Sequence, residues 1–220
     1  MSKTKLLCLS DVEVPVVYSP RIRERFSELE AVISCGDLSW HYLEFVVSML
    51  DLPLYYVQGN HVFDIEDGEG KVRHHPYGAV NLHRQVVYDP HLDLILAGIE
   101  GSLRYNRRSY QYTQWQMWRM VLGLVPQLLF NKIRYGRYLD VFVTHAAPTG
   151  IHDEDDAAHR GVDAFRWLIK HFKPMLHLHG HVHLYNRLKA RETMHGDTRV
   201  INCYGHRVIS LDSVQSSDKA

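Results

Sequence analysis

Two patterns of apolar and polar positions alternate along the first part of the chain. Short apolar runs at Lys5–Ser10, Ala31–Ser34 and Leu54–Val57 predict buried strands. Between them, residues 39–50 carry apolar side chains at helical spacing. Ser-Pro at 19–20 has the residue types that begin a helix, which we expect to run to residue 29. The first 60 residues therefore predict a β-α-β-α-β order.

A less regular middle is followed by the same alternation. Because strands and helices alternate along the chain, we predict an α/β fold. The expected elements are strands at Gln85–Tyr88, Leu92–Ile99, Leu139–Thr144 and Met175–His179, helices at Tyr110–Phe130 (kinked before Pro126) and Gly161–Phe172, and a hairpin of Thr198–Tyr204 and His206–Leu211 around Gly205.

Side chains that bind metals or transfer protons follow five of these strands. In open α/β sheets, ligands bind beyond the carboxyl ends of strands, so residues distant in sequence would meet there. Each residue alone has a structural explanation, such as a helix N-cap for Asp37 or a satisfied buried histidine for His145. Because such side chains recur at five strand ends, we favour a single functional site that they form together. The segments are Asp11-Val12-Glu13, Gly36-Asp37, Gly59-Asn60-His61, Thr144-His145 and Gly180-His181-Val182-His183.

Composition narrows the function classes. The chain has 220 residues, 45% of them hydrophobic, and we expect one domain over residues 1–212 with a polar tail at 213–220. Lys+Arg and Asp+Glu are both 25, so no overall basic excess favours a long nucleic acid as partner. Three cysteines without a C-x-x-C spacing argue against a thiolate zinc site or a disulfide framework. No apolar run has the length of a signal peptide or a transmembrane segment, and we expect a cytoplasmic protein.

The ordered motifs D-x-E, G-D, G-N-H, T-H and G-H-x-H resemble those of the calcineurin-like metallophosphoesterase superfamily. The resemblance extends from Asp11 to His183, which is most of the chain. It implies a four-layer α/β/β/α sandwich, with two mixed β-sheets flanked by helices. It also implies two divalent metal ions at the strand ends, and the donor types suit Mn, Fe, Zn or Ni.

The resemblance assigns a role to each matching residue. Asp37 would bridge the two ions, and His61 would assist the leaving group beside them. One ion would be bound by Asp11, Glu13, Asp37 and His183, and the other by Asp37, Asn60, His145 and His181.

The sequence departs from the family pattern at two points. Glu13 stands where the family has the histidine of D-x-H, and whether it binds metal is open. The protein-phosphatase branch continues its second motif as G-D-x-x-D-R-G, whereas Leu38-Ser39-Trp40-His41 follows Asp37 here. The missing aspartate and arginine argue against a Ser/Thr protein phosphatase.

Another group must then contact the substrate anion. Arg104, His159 and Arg160 are candidates, because they lie in segments expected near the strand ends; the alternative for each is a solvated surface position. The acidic run 153–156 would repel long polyanions near the opening.

These observations predict a hydrolase of phosphoric ester bonds that acts on a small phosphodiester or phosphomonoester. The resemblance implies a metal-bridging hydroxide as nucleophile, with manganese as one suitable metal and a diester as the slightly favoured substrate. The alternative is a catalytically weak scaffold of the same fold that serves protein interaction, which the substituted motif at Glu13 suggests. The apolar stripe of the helix at 110–130 favours core packing, with a lid, a homodimer face or a membrane-surface helix as alternatives.

Overall fold

The computed structural model describes residues 3–61, 63–66, 70, 72–106, 108–184 and 190–212, and the expected tail at 213–220 lies outside them. The helices are α1 (Ile22–Arg25), α2 (Trp40–Leu50), α3 (Gln114–Tyr135) and α4 (Asp163–Phe172). The strands are β1 (Lys3–Ser10), β2 (Ala31–Ser34), β3 (Leu54–Tyr56), β4 (Ile65–Glu66), β5 (Val72–Arg73), β6 (Ala79–Asn81), β7 (Val86–Asp89), β8 (Leu94–Ile99), β9 (Ser102–Leu103), β10 (Gln111–Tyr112), β11 (Val141–Thr144), β12 (Leu176–His179), β13 (Glu192–His195), β14 (Thr198–Asn202) and β15 (Gly205–Asp212).

Two large mixed sheets organise the chain. Sheet one has the order β15-β1-β2-β3-β6, and its only antiparallel pair among these strands is β1 with β15. Sheet two has the order β13-β14-β12-β11-β8-β7, with antiparallel pairs at its two edges and a parallel centre. The parallel strands β1, β2 and β3 therefore end at one edge of sheet one, and β8, β11 and β12 end at one edge of sheet two.

Three apolar cores separate four layers. Leu6 and Cys8 of β1 point into a core shared by both sheets, whereas Leu7 and Leu9 of the same strand pack under α1 and α2. Phe142 of β11 packs on the other side of sheet two, under α3 and α4. Strands of both sheets are covered on both faces, and their sequences are therefore nearly continuous runs of apolar residues. The predicted four-layer α/β/β/α sandwich is confirmed.

Two of the predicted elements were wrong. The helix expected from residue 19 to 29 has only the four residues of α1, and only Ile22 among them is buried, so little packing holds further turns. Residues 198–211 do not form a hairpin. Instead β14 pairs with β12 and β13 in sheet two, and β15 pairs with β1 in sheet one, so the chain crosses between the sheets at Gly205.

The long helix α3 begins later and ends later than predicted. Thr113 and Gln116 form a reciprocal capping box at its start, and Gly136 ends it in the left-handed conformation (φ 74°). The helix continues through Pro126, with Leu124 and Leu128 buried on either side. None of the helices among the described residues combines the length and hydropathy needed to cross a membrane.

Candidate metal centre

The five strand ends named by their motifs meet at one rim of the sandwich. Asp11 and Asp37 follow strands of sheet one, and His145 and His181 follow strands of sheet two. The backbone N–H of Asp11 donates to Gly36 (3.1 Å), and the N–H of His181 donates across the sheets to the carboxylate of Asp11 (3.0 Å). The first of these hydrogen bonds joins the ends of β1 and β2 within sheet one, and the second joins the ends of the two sheets directly.

Glycines of the motifs allow this close approach. A Cβ on Gly59 would lie 1.9 Å from Oδ1 of Asp37, and one on Gly180 would lie 1.8 Å from Oγ of Ser10. Three residues of the rim that are not glycine adopt positive φ: Asp11 (64°), Asp37 (56°) and His181 (66°). Such backbone conformations cost energy and cluster at functional sites.

Three side chains converge beside Asp37. The Nδ1–H of His145 donates to the carbonyl oxygen of Cys35 (2.8 Å), and a carbonyl oxygen can only accept. A neutral His145 ring therefore carries its lone pair on Nε2. That Nε2 lies 2.9 Å from Oδ1 of Asn60 and 3.3 Å from Oδ2 of Asp37. A nitrogen and two oxygens, each with a lone pair, thus face one another in the interior of the site.

This convergence fits a divalent cation. Nitrogen and oxygen ligands bind such ions at about 2.0–2.2 Å, so two ligands of one ion lie about 3–3.5 Å apart. The separations around Nε2 of His145 agree with this spacing. His181 adds a further donor, because one ligand atom each of Asp37, His145 and His181 lie within 4.8 Å of one another. The donor set of carboxylate, amide oxygen and imidazole suits Mn, Fe, Zn or Ni.

Without a cation, a proton on His145 relieves the repulsion between these lone pairs. Burial alone would lower the pKa of His145, but the charge of Asp37, its hydrogen bond and the charge of Asp11 raise that pKa to about 9. Burial would raise the pKa of Asp37, but the charge and hydrogen bond of His145 and the N–H of His61 lower it to about 2. The buried pair is therefore ionised at neutral pH.

Asp11, His181 and His183 form the adjoining part of the site. Nε2 of His181 lies 2.7 Å from the carbonyl oxygen of Ala158, so it carries the hydrogen and the lone pair is on Nδ1. Nε2 of His183 lies 3.9 Å from Oδ1 of Asp11. Burial raises the pKa of the Asp11 carboxyl, against the opposing charge of His145. A cation near Asp11 would compensate for this burial.

Glu13 and His61 lie at the outer edge of the site. Glu13 is exposed, and Oε1 accepts a hydrogen bond from Ser39, which is also the N-cap of α2. Its binding to metal stays a prediction. The N–H of His61 donates to Oδ1 of Asp37 (2.8 Å), and Nε2 of its ring lies 3.7 Å from Oδ2 of Asp37. The ring is 52% exposed, so it is open to an incoming substrate.

The three predicted anion-contacting residues lie in two places near the rim. Arg104 and Arg160 line one cavity of about 510 Å³ together with the start of α3. His159 packs against the rings of His181 (5.1 Å between centroids) and His183 (6.4 Å), and its Nδ1 lies 2.8 Å from Asp156. Contact of these residues with a substrate stays a prediction.

Some groups of the site have no signal in the sequence. The hydroxyl of Tyr105 accepts a hydrogen bond from Nδ2 of Asn60 (3.0 Å), which directs Oδ1 of Asn60 toward His145. The carbonyl groups of Cys35 and Ala158 orient the two imidazoles, and backbone groups are the same at every position of a sequence. Metal-binding histidines commonly have such partners.

Comparison with known proteins establishes the fold. No family model and no curated protein matches this sequence. The crystal structure of TT1561 of Thermus thermophilus superposes with a TM-score of 0.59 at 14% identity, covering 97% of this chain and all of that one. Another crystal structure gives a TM-score of 0.61 at 13% identity over 97% of this chain. At such identities the likeness concerns the fold alone, and any function must be argued from the site.

Substitution of Gly59 by alanine tests the close approach of Gly59 to Asp37. The new Cβ would displace the Asp37 carboxylate, and we expect the affinity for Mn²⁺ to fall about tenfold to a hundredfold, measured by isothermal titration. Gly123→Ala is the matched control, because a Cβ at this exposed helical position would meet no atom within 4 Å from the described residues outside its own helix backbone. Unchanged affinity in Gly59→Ala would contradict this close packing of Gly59 against Asp37.

The ionised pair predicts a pH dependence of stability in the metal-free protein. His145 has a raised pKa, so its contribution is complete below its reference pKa of 6.5 and is lost as the pH rises through about 9. Asp37 has a lowered pKa, so its contribution is complete above 3.8 and is lost as the pH falls through about 2. Asp37→Asn removes the pair, so the variant should have a lower free energy of unfolding than the wild type. This difference between the two proteins should shrink as the pH rises from 6.5 to 9. Urea unfolding of both proteins in EDTA measures this difference. A difference that is independent of pH would refute the ion pair.

Proposed function

We propose that this chain is a metal-dependent phosphoesterase with a binuclear centre at the rim of the sandwich. The observation that carries the proposal is the convergence of lone pairs from Asp37, Asn60 and His145, whose spacing suits ligands of a divalent cation. In the proposed arrangement, Asn60, His145 and His181 would hold one ion, Asp11 and His183 would hold the other, and Asp37 would serve both. Two such ions would supply Lewis-acid activation of a phosphoryl group and lower the pKa of a bound water toward neutrality.

His61 is the proposed proton donor to the leaving oxygen. Its backbone is fixed by the hydrogen bond to Asp37, while its ring remains half exposed at the opening of the site. A positioned histidine that moves a proton in this way typically contributes a factor of about 100 or more in rate. Asp37 would therefore have two roles: it would bind metal, and its hydrogen bond to the backbone of His61 would position that residue.

The surroundings of the rim favour a small phosphoester. Arg104 and Arg160 bring positive charge to one cavity, where they would bind the remaining part of an anionic substrate. The loop that carries Asp155 and Asp156 is exposed beside it. Carboxylates at the opening would repel a long polyanion, so a small phosphodiester or phosphomonoester is the proposed substrate.

The position of Glu13 favours a second candidate function. Its carboxylate binds Ser39, on the outside of the site. If this arrangement persists when metal is bound, one ion would lack a protein ligand, and the chain would serve as a weakly catalytic scaffold of the same fold.

Loss of catalytic groups tests the enzyme directly. Asp37→Asn and His61→Ala should each lower turnover of a chromogenic phosphodiester by at least about 100-fold in the presence of Mn²⁺. His171→Ala is the matched control, because this exposed histidine lies on α4, where its ring donates to the carbonyl oxygen of Trp167 in the same helix. The same assay with a phosphomonoester decides between the two ester classes. Wild-type turnover in both site variants would refute the mechanism.

Removal of metal separates the enzyme from the scaffold. After treatment with EDTA, the enzyme should lose turnover and recover it on addition of Mn²⁺, with two ions bound per chain by elemental analysis. A protein that binds metal without measurable turnover on either ester would favour the scaffold. If the wild type binds one ion per chain and Glu13→Ala binds the same amount, Glu13 is not a ligand.

A further inference from the structure

The outer face of α3 is apolar where a surface helix is normally polar. We define this face as Trp115, Leu122, Leu129, Phe130 and Ile133, which are 65%, 49%, 49%, 52% and 86% exposed. Steps of seven and four residues place Trp115, Leu122, Leu129 and Ile133 on the same side of the helix, and Phe130, three residues before Ile133, lies along one border of this stripe. The opposite side of α3 is buried against sheet two. The stripe is therefore additional to the side chains that hold the helix in place.

Basic side chains predominate around this stripe. Helix α3 contains three cations and neither Asp nor Glu along its 22 residues. The neighbouring α4 exposes Arg166 and Lys170 against one acidic residue, Asp163. The whole chain has a formal net charge of zero, so the helical layer is cationic although the composition is balanced.

The apolar stripe stands on a rigid support. The capping box and Gly136 define both ends of α3, and Trp118 packs against Trp167 of α4 with ring centroids 5.5 Å apart. Trp115, at the start of the stripe, has the guanidinium of Arg119 over its ring at 4.8 Å. An indole beside a cation suits the boundary between lipid headgroups and acyl chains.

We propose that the outer face of α3 docks on a lipid bilayer that contains anionic lipids. The apolar side chains would enter the acyl boundary, while Arg119, Lys132 and Arg134 would contact anionic headgroups. A second copy of the chain is the less favoured occupant. Pairing of two such faces would bring the cations of both helices together, and neither helix has a carboxylate to compensate their repulsion.

Binding of the full chain to vesicles tests this surface. We expect the protein to sediment with vesicles of phosphatidylcholine and phosphatidylglycerol in equal parts, and much less with phosphatidylcholine alone. The double variant Leu129→Gln, Ile133→Gln should lower the partition coefficient at least about tenfold. The double variant Arg119→Gln, Arg134→Gln should lower it about fivefold for each cation lost. Met194→Gln, at a 58% exposed apolar position of β13, is the control and should bind as the wild type does.

Two results would overturn the proposal. One is failure of the wild-type chain to bind the anionic vesicles, and the other is full binding by the Leu129, Ile133 variant. Sedimentation velocity without lipid identifies the alternative occupant: a dimer that this variant abolishes, together with no vesicle binding, would assign the face to a second copy. Vesicle binding is a separate readout from the proposed phosphoesterase activity. We expect these variants to turn over a water-soluble ester at the wild-type rate, so either proposal can fail without the other.

Discussion

The contact between Asp37 and His145 joins the ends of the two sheets, and the geometry of the rim depends on it. Asp37 follows β2 of sheet one and His145 follows β11 of sheet two, with 3.3 Å between Oδ2 and Nε2. A buried carboxylate is costly unless a positive charge compensates it. A proton on His145 provides that charge in the metal-free protein, and a divalent cation would provide more. The same arrangement therefore explains both the ionised pair and the convergence of metal-binding atoms.

The apolar cores and the rim have different roles in the structure. Three cores between four layers bury the side chains that stabilise the sandwich, and they leave the strand ends free for polar groups. Asp11, Asp37 and His181 adopt positive φ at these ends, which local sequence preferences disfavour. Packing of the sheets holds the strained backbone in place, and Gly59 and Gly180 leave room for the carboxylates.

Acidic and basic residues are equal in number, but they lie on different parts of the surface. Acidic and imidazole side chains gather at the rim, whereas the exposed sides of α3 and α4 carry mainly cations. The apolar side chains of α3 are also of two kinds: one set belongs to the core, and the other faces solvent. Hydrophobic periodicity does not separate these sets, because the helix is apolar on opposite sides. Only burial in the folded chain distinguishes them.

The α/β class, most strands and the residues that follow them could be predicted without a structure. Apolar runs such as Ala31–Ser34 are local signals, and the side chains at their ends are read directly from the sequence. The placement of β14 and β15 in different sheets, the short α1 and the contact of Glu13 with Ser39 became known only from the folded chain. It also supplied Tyr105 and the carbonyl of Cys35 as partners of the site. These features depend on neighbours far away in the chain, and local patterns carry no information about which distant segment packs against them.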